Sequence, residues 1–227
     1  MRSRVLFPVS RHVVTVRTDD ICTESFSCGC ATTRRIVEAL DNVTRLVMSV
    51  IKLHLGCGKK HIPTWINVDC DPTVFPDVVD DIETLNSFRD GSVDVVYACH
   101  VLEHVGRWKW QDVLQTWIRK LKPNGVLRIA VPSFEAAVKW YTATARIHDV
   151  MGLVCGGQKT KYDYHCVIFD KNMLECELTR LGMTGVREWD WRTTDHAHID
   201  DYSQAYLPHL DKTSGMHMSL NLEATKL

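Results

Sequence analysis

The chain has 227 residues, 45% of them apolar and 24% charged, with a formal net charge of −1. That is the size and make-up of one α/β domain with a sizeable core. A charge so close to zero excludes a global field that would gather nucleic acid or anionic membrane, and the chain offers no run of about eighteen apolar residues of the kind that spans a bilayer.

Residues 1–31 carry Arg2, Arg4, Arg11 and Arg17 with no acid before Asp19 and no clean period. Arg11 and His12 interrupt any apolar signal region, so this stretch reads as an irregular tail rather than a targeting peptide, with Met48 a natural start. In 33–48, Ile36, Leu40, Val43 and Val47 share a helical face. The expected organisation is therefore an N-terminal extension over 1–49, irregular and then one helix, followed by a single domain over 50–227.

The stretch Ile51–Asp71 organises that domain. Ile51, Leu53 and Leu55 alternate with Lys52 and His54 as in a strand. Gly56-Cys57-Gly58 then breaks the chain, and a second apolar run from Trp65 to Val68 ends on Asp69. Strand, glycine turn, strand, carboxylate is the outline of a nucleotide-type site. Glycines allow backbone to approach a ligand where a Cβ would collide, and a carboxylate accepts hydrogen bonds from ribose hydroxyls. Only Lys59–Thr64 separate the turn from the second strand, and Pro63 lies among them. A parallel crossover normally needs about a dozen residues, so the first helix must be cut to a turn, which argues against NAD.

Further along, 77–82 is a brief apolar pulse ending in Asp80-Asp81-Ile82, and Val93–Cys99 reads as a buried parallel strand. A helix is expected over 108–122, with Val113, Leu114, Trp117, Ile118 and Leu121 on one stripe, stopped by Pro123-Asn124-Gly125. A strand over 126–131, a helix from Phe134 to about Val150, and a polar loop opened by Gly156-Gly157 follow. Asp170 is placed to cap a helix running to about Leu181 with Gly182 after it. Strand character returns over 186–191, and 216–224 alternates with period two as a final strand. The long intervening segment, 192–215, is expected to be a lid over the acceptor. Of the nine cysteines, Cys57, Cys70, Cys99, Cys155, Cys166 and Cys176 form no Cys-x-x-Cys pair. They read as free thiols of a reducing, cytoplasmic setting. Cys22, Cys28 and Cys30 match no common zinc spacing.

Taken in order, Leu53-His54-Leu55-Gly56-Cys57-Gly58, Asp69, Asp81-Ile82, SVDVVYACHVLEH and LKPNGVLRIAVP resemble the successive motifs of a class I S-adenosylmethionine-dependent methyltransferase. More narrowly, they are similar to the small bacterial and phage type-11 enzymes with a "WINVD" second strand. The resemblance covers roughly 50–224. It implies an α/β, Rossmann-like doubly wound sheet of about seven strands, mostly parallel with an antiparallel last strand, which the alternation over 216–224 fits. It also implies a cofactor site. Leu55, Gly56, Cys57 and Gly58 would lie beneath the methionine and ribose of S-adenosylmethionine, and Asp69 would hold the ribose hydroxyls. Asp81 would accept from the adenine amino group with Ile82 on the ring, and Ala98, Cys99 and His100 would line the methionine side.

The acceptor side is read from residue chemistry. His100 stands where a base or a substrate contact belongs, and an imidazole that only shapes the pocket floor is the equal alternative. Glu103-His104 is expected to cap a turn or meet the core. Tyr162, Asp163 and His165 place a hydroxyl, a carboxylate and an imidazole in one loop, so His165, with Asp163 beside it, is a candidate general base. Tyr202 and Tyr206 are candidate acceptor contacts. His196-x-His198 among acids invites a metal, but a solvated loop is the better reading, and no metal is expected. Expected chemistry is methyl transfer to an oxygen or nitrogen of a small molecule or glycan, without nucleic-acid or membrane partners. An aminopropyl transferase and a non-catalytic cofactor-binding module stay open. Neither the acceptor nor the oligomeric state is legible.

Overall fold

The computed structural model describes residues 50–227. The helix expected over 33–48 and the cysteines at 22, 28 and 30 lie outside the described residues. Strands β1 (Lys52–Leu55), β2 (Ile66–Asp69), β3 (Val78–Val79), β4 (Val93–Cys99), β5 (Leu121–Pro132), β6 (Met183–Glu188) and β9 (Ser219–Lys226) form one seven-stranded sheet in the order β3-β2-β1-β4-β5-β9-β6. Neighbouring strands from β3 to β5 run parallel, and β9 lies antiparallel between β5 and β6. This is the doubly wound architecture the motifs imply, with the switch point between β1 and β4.

Alternation along the strands sorts the core into two unlike faces. Leu53, Leu55, Val96, Ala98, Leu127 and Ile129 point to the first. Helix α1 (Trp110–Lys120) covers that face with Val113, Leu114, Trp117 and Ile118 buried, and α4 (Lys171–Arg180) adds Leu174 and Leu178. The second face carries Tyr97 and Cys99, packed with Ile62, Trp65 and Trp189. With the first crossover reduced to Lys59–Thr64, no helix among the described residues covers this face near β1 and β2. The chain between β6 and β9 does so instead. His196 is 1% exposed and packs its ring on Trp65 and Tyr97, while the Tyr97 hydroxyl donates to Asp201 at 2.7 Å. The segment expected to be a lid is therefore partly core: its first half is the missing second layer.

Other departures have local causes. The helix expected over 134–150 is two, α2 (Phe134–Thr144) and α3 (Ile147–Cys155), because Ala145 turns left-handed at φ 56°. The alternating run 216–224 is split between β8 (Met216–His217), which pairs with β7 (Tyr206–Leu207), and β9. Met218 between them spends its backbone elsewhere, donating to Ala205 and accepting from Ser133. Strand β6 begins at Met183 rather than Val186, directly after Gly182 at φ 81°. Asp170 caps α4 as expected, accepting from the Met173 amide at 2.7 Å. Among the described residues, no helix is long and apolar enough to cross a membrane.

Candidate functional site

The donor side lies along the C-terminal ends of β1, β2 and β3, where ligands bind in open parallel sheets. Gly56 has φ +60°, and a Cβ there would lie 2.5 Å from a Val101 methyl, so the turn fits against the next loop only as glycine. Gly58, at φ +48°, has open space where its Cβ would be, which leaves its backbone bare to a ligand. Asp69 holds this turn: its Oδ2 accepts from the Gly58 amide at 2.8 Å and its Oδ1 from the Asp71 amide at 2.9 Å. The carboxylate thus joins the tips of β1 and β2 before any ligand arrives. Asp80, one residue past the end of β3, binds back to β2 through its amide and the Asp69 carbonyl. Beside it Asp81 accepts from the Glu83 amide, and the Ile82 carbonyl is fixed by the Trp117 indole at 2.8 Å.

Leu55 and Ala98 are fully buried in the first-face core and support the cradle from beneath. Burial pushes the Cys57 thiol up to about 12, so it is an inert filler. Cys99 departs from its expected place. Its side chain lies buried in the aromatic layer of the second face, because residues 97 and 99 of β4 share that side.

The residues expected on the acceptor side meet at a cleft of about 600 Å³. It gathers His100 from the end of β4, His104, Asp163 and His165, and Tyr202 and Tyr206 from the segment before β8. Lys60, just past the glycine turn, lines the same cleft, as do Gln204, a polar contact expected from the sequence, and Asp149 and Met218, which no sequence pattern marked. Residues 156–165 form a loop closed at its neck, where the His165 amide donates to the Cys155 carbonyl at 3.2 Å, and the next amide donates to the Glu103 carbonyl at 2.7 Å. The loop tip reaches the end of β2, with Tyr162 beside the Cys70 thiol, and Tyr162 is not among the residues that line the cleft.

The expected His165–Asp163 pair is not formed. Asp163 accepts from the amides of Gly157 and Lys159 in its own loop, and the His165 Nδ1 donates to the Leu153 carbonyl at 2.9 Å. Local turn chemistry takes the carboxylate first. His198, with no such partner role, does not join His196 in a metal cluster among the described residues; His196 is instead held by Asp195.

Between cleft and core stands a group that sequence reading undervalued. Glu103 is 0% exposed, and neither carboxyl oxygen has a hydrogen-bond partner among the described residues. The His100 Nδ1 is 3.5 Å away and the His165 Nε2 3.9 Å. Burial raises the Glu103 carboxyl to about 8 and lowers His100 to about 3, so in the absence of a ligand all these groups are driven toward neutrality. His100 also holds φ +52°, a left-handed backbone uncommon outside glycine, though histidine is among the residues that adopt it more readily. The available signal was the spacing in His100-Val101-Leu102-Glu103-His104, which puts two imidazoles and a carboxylate within one tight turn.

Residues 53–129 match the family model of a methyltransferase domain. Among solved structures, the chain is similar to an S-adenosylmethionine-dependent methyltransferase from Methanosarcina mazei, at 16% identity and TM-score 0.52, over 82% of this chain and 97% of that one. It is also similar to an S-adenosylmethionine-dependent methyltransferase from Archaeoglobus fulgidus, at 17% identity and TM-score 0.50, over 85% of this chain and 94% of that one. At identities this low the likeness is one of fold. No curated protein matches by sequence. The match over 53–129, together with this sheet order and this glycine turn, supports a class I S-adenosylmethionine-dependent methyltransferase, an enzyme whose cofactor is S-adenosylmethionine.

Proposed function

We propose that the protein transfers the methyl group to an oxygen or nitrogen of a small polar molecule or glycan held in the cleft bounded by His100, His165, Tyr202 and Tyr206. The observation that carries this reading is the cleft itself. Its volume of about 600 Å³ falls in the range of small-molecule sites, its wall is rich in hydroxyl, imidazole and carboxyl groups, and Lys60 and His100 connect it to the donor side.

When bound, S-adenosylmethionine supplies an electrophilic methyl on a sulfonium. The chain's own contribution is largely placement. The Gly56–Gly58 turn, pinned by Asp69, supports the donor, and Tyr202, Tyr206 and Lys60 hold the acceptor. As the acceptor's lone pair forms the new bond to carbon and the carbon–sulfur bond breaks, the proton on the acceptor atom must leave. With its Nδ1–H committed to Leu153, His165 offers a lone pair at Nε2 for that proton. The free thiols at 57, 70, 99, 155, 166 and 176 support a reducing, cytoplasmic setting.

The direct test is Asp69→Ala. It removes a charged acceptor from two backbone amides, each worth about 1.5–3 kcal/mol, so calorimetry should show S-adenosylmethionine affinity falling at least about tenfold. A variant that binds as tightly as the parent would sink this placement of the donor. Mass spectrometry of turnover should find S-adenosylhomocysteine and an acceptor heavier by one methyl, whereas methylthioadenosine would mark aminopropyl transfer instead.

A further inference from the structure

The structure assigns a divalent transition-metal site to Glu103, His104 and His165. One ligand atom from each of these residues lies within 4.8 Å of the other two. Donors about 2.1 Å from a tetrahedral ion lie about 3.4 Å from one another, so the set closes with each donor moving by less than about 1 Å.

The hydrogen bonds from the outer nitrogens of both imidazoles support this. A carbonyl oxygen only accepts. The His104 Nδ1 faces the Tyr164 carbonyl at 3.1 Å and the His165 Nδ1 faces the Leu153 carbonyl at 2.9 Å, so both Nδ1 atoms carry the proton and both Nε2 atoms keep a lone pair. A ligand histidine is held in this way, its outer N–H bound to a carbonyl and its inner nitrogen bare. His100 follows the same rule. Its Nε2 is 3.1 Å from the Ser219 hydroxyl, which spends its own hydrogen on Asn221 Oδ1 at 2.8 Å. The His100 Nε2 is therefore the donor, leaving a lone pair at Nδ1, 3.5 Å from Glu103.

Bare imidazole nitrogens thus surround a carboxyl group whose two oxygens are buried and unpartnered among the described residues. Leaving a buried polar group unpaired is costly, and the single proton of a neutral Glu103 carboxyl can relieve at most one of the neighbouring lone pairs. A cation relieves them all at once. Two imidazoles and one carboxylate suit zinc, cobalt or iron(II) better than magnesium or calcium, which take oxygen donors. His104 and His165 both line the acceptor cleft, so the coordination positions that the protein leaves open face the space where the acceptor is placed. A bound ion takes the His165 Nε2 lone pair, so His165 can serve as the base only in the metal-free chain; the geometry of the ligand set itself does not depend on where the acceptor lies.

The test uses the full chain, stripped by chelator and titrated with CoCl2 alone. One cobalt ion per chain should bind, with a visible d–d absorption band, and ZnCl2 should displace it. Glu103→Gln and His165→Asn should each weaken binding by more than about 100-fold, beyond the cost of losing an outer-shell partner. Thermal melts separate this from misfolding. Zinc should raise the melting temperature of the parent but not of either variant, and metal-free Glu103→Gln should melt no lower than the metal-free parent. The assignment is overturned if the parent binds neither ion, if either variant binds as tightly as the parent, or if magnesium competes with cobalt at equal concentration. A chelated chain that still binds S-adenosylmethionine and methylates acceptors, yet takes up no cobalt, overturns the metal site and leaves the proposed function standing. Tight cobalt binding without methylated product does the reverse.

Discussion

The two faces of the sheet solve the same burial problem with different materials. On the first, Leu53, Leu55, Val96 and Ala98 meet helices α1 and α4, whose backbones satisfy their own hydrogen bonds. That face can be wholly aliphatic. The second, near β1 and β4, is covered by the largely irregular stretch 191–205, whose short turns pair only part of its backbone within itself. The strands therefore supply polar side chains there. Asn67 binds the backbone at Ile62 and Trp65, Tyr97 holds Asp201, and Asn221 and His217 both bind the Ser203 carbonyl. Removing one crossover helix changes the chemistry of a core as well as its shape.

The largest break in this contrast comes from deleting residues 195–210. A lid could be lost with the fold intact. A core layer cannot, since the deletion strips His196 and Asp201 from Trp65, Tyr97 and Trp189. The variant should lose its cooperative urea transition and its cofactor binding together, and a folded variant that still binds S-adenosylmethionine would restore the lid reading.

A smaller effect separates the faces by pH. His54 lies on the second face, stacked on Tyr97, and burial lowers it from 6.5 to about 4. The unfolded chain takes up this proton first as pH falls. The stability is therefore full above about 6.5 and is lost progressively down to about 4, by about 3 kcal/mol in all. In His54→Gln the urea midpoint should fall less steeply over that window, whereas an unchanged slope would remove His54 from the acid response. Smallest is Tyr97→Phe, which removes the hydrogen bond to Asp201 and should cost about 1–2 kcal/mol in urea unfolding. Cofactor affinity should stay within about twofold, because Tyr97 points away from the donor side.

The first face and the donor side were the legible parts of the sequence. Their signals are local: apolar alternation in β1, an unbroken run in β4, a stripe on α1, and two glycines followed by a carboxylate. The second face was not legible, because His54, Asn67, His196 and Asp201 are polar residues whose burial depends on contacts across more than a hundred positions, as Tyr97 and Asp201 show. Glu103 was passed over for a related reason. Its neighbours His100 and His104 are visible in the chain, but His165 arrives through a loop closure that no period announces. The breaks at Ala145 and Met218 escaped because single left-handed or diverted residues leave a helical or alternating pattern intact.

The neck of the 156–165 loop has a consequence for how such an enzyme can change. Its ends are fastened to each other and to Glu103, while the tip, 158–162, contributes neither strand pairing nor helix. New residues or insertions there would be grafted onto a fixed collar, and the cost of a longer tip grows only slowly with its length. Selection, natural or in the laboratory, could rewrite this one edge while the glycine turn and its carboxylate stay untouched.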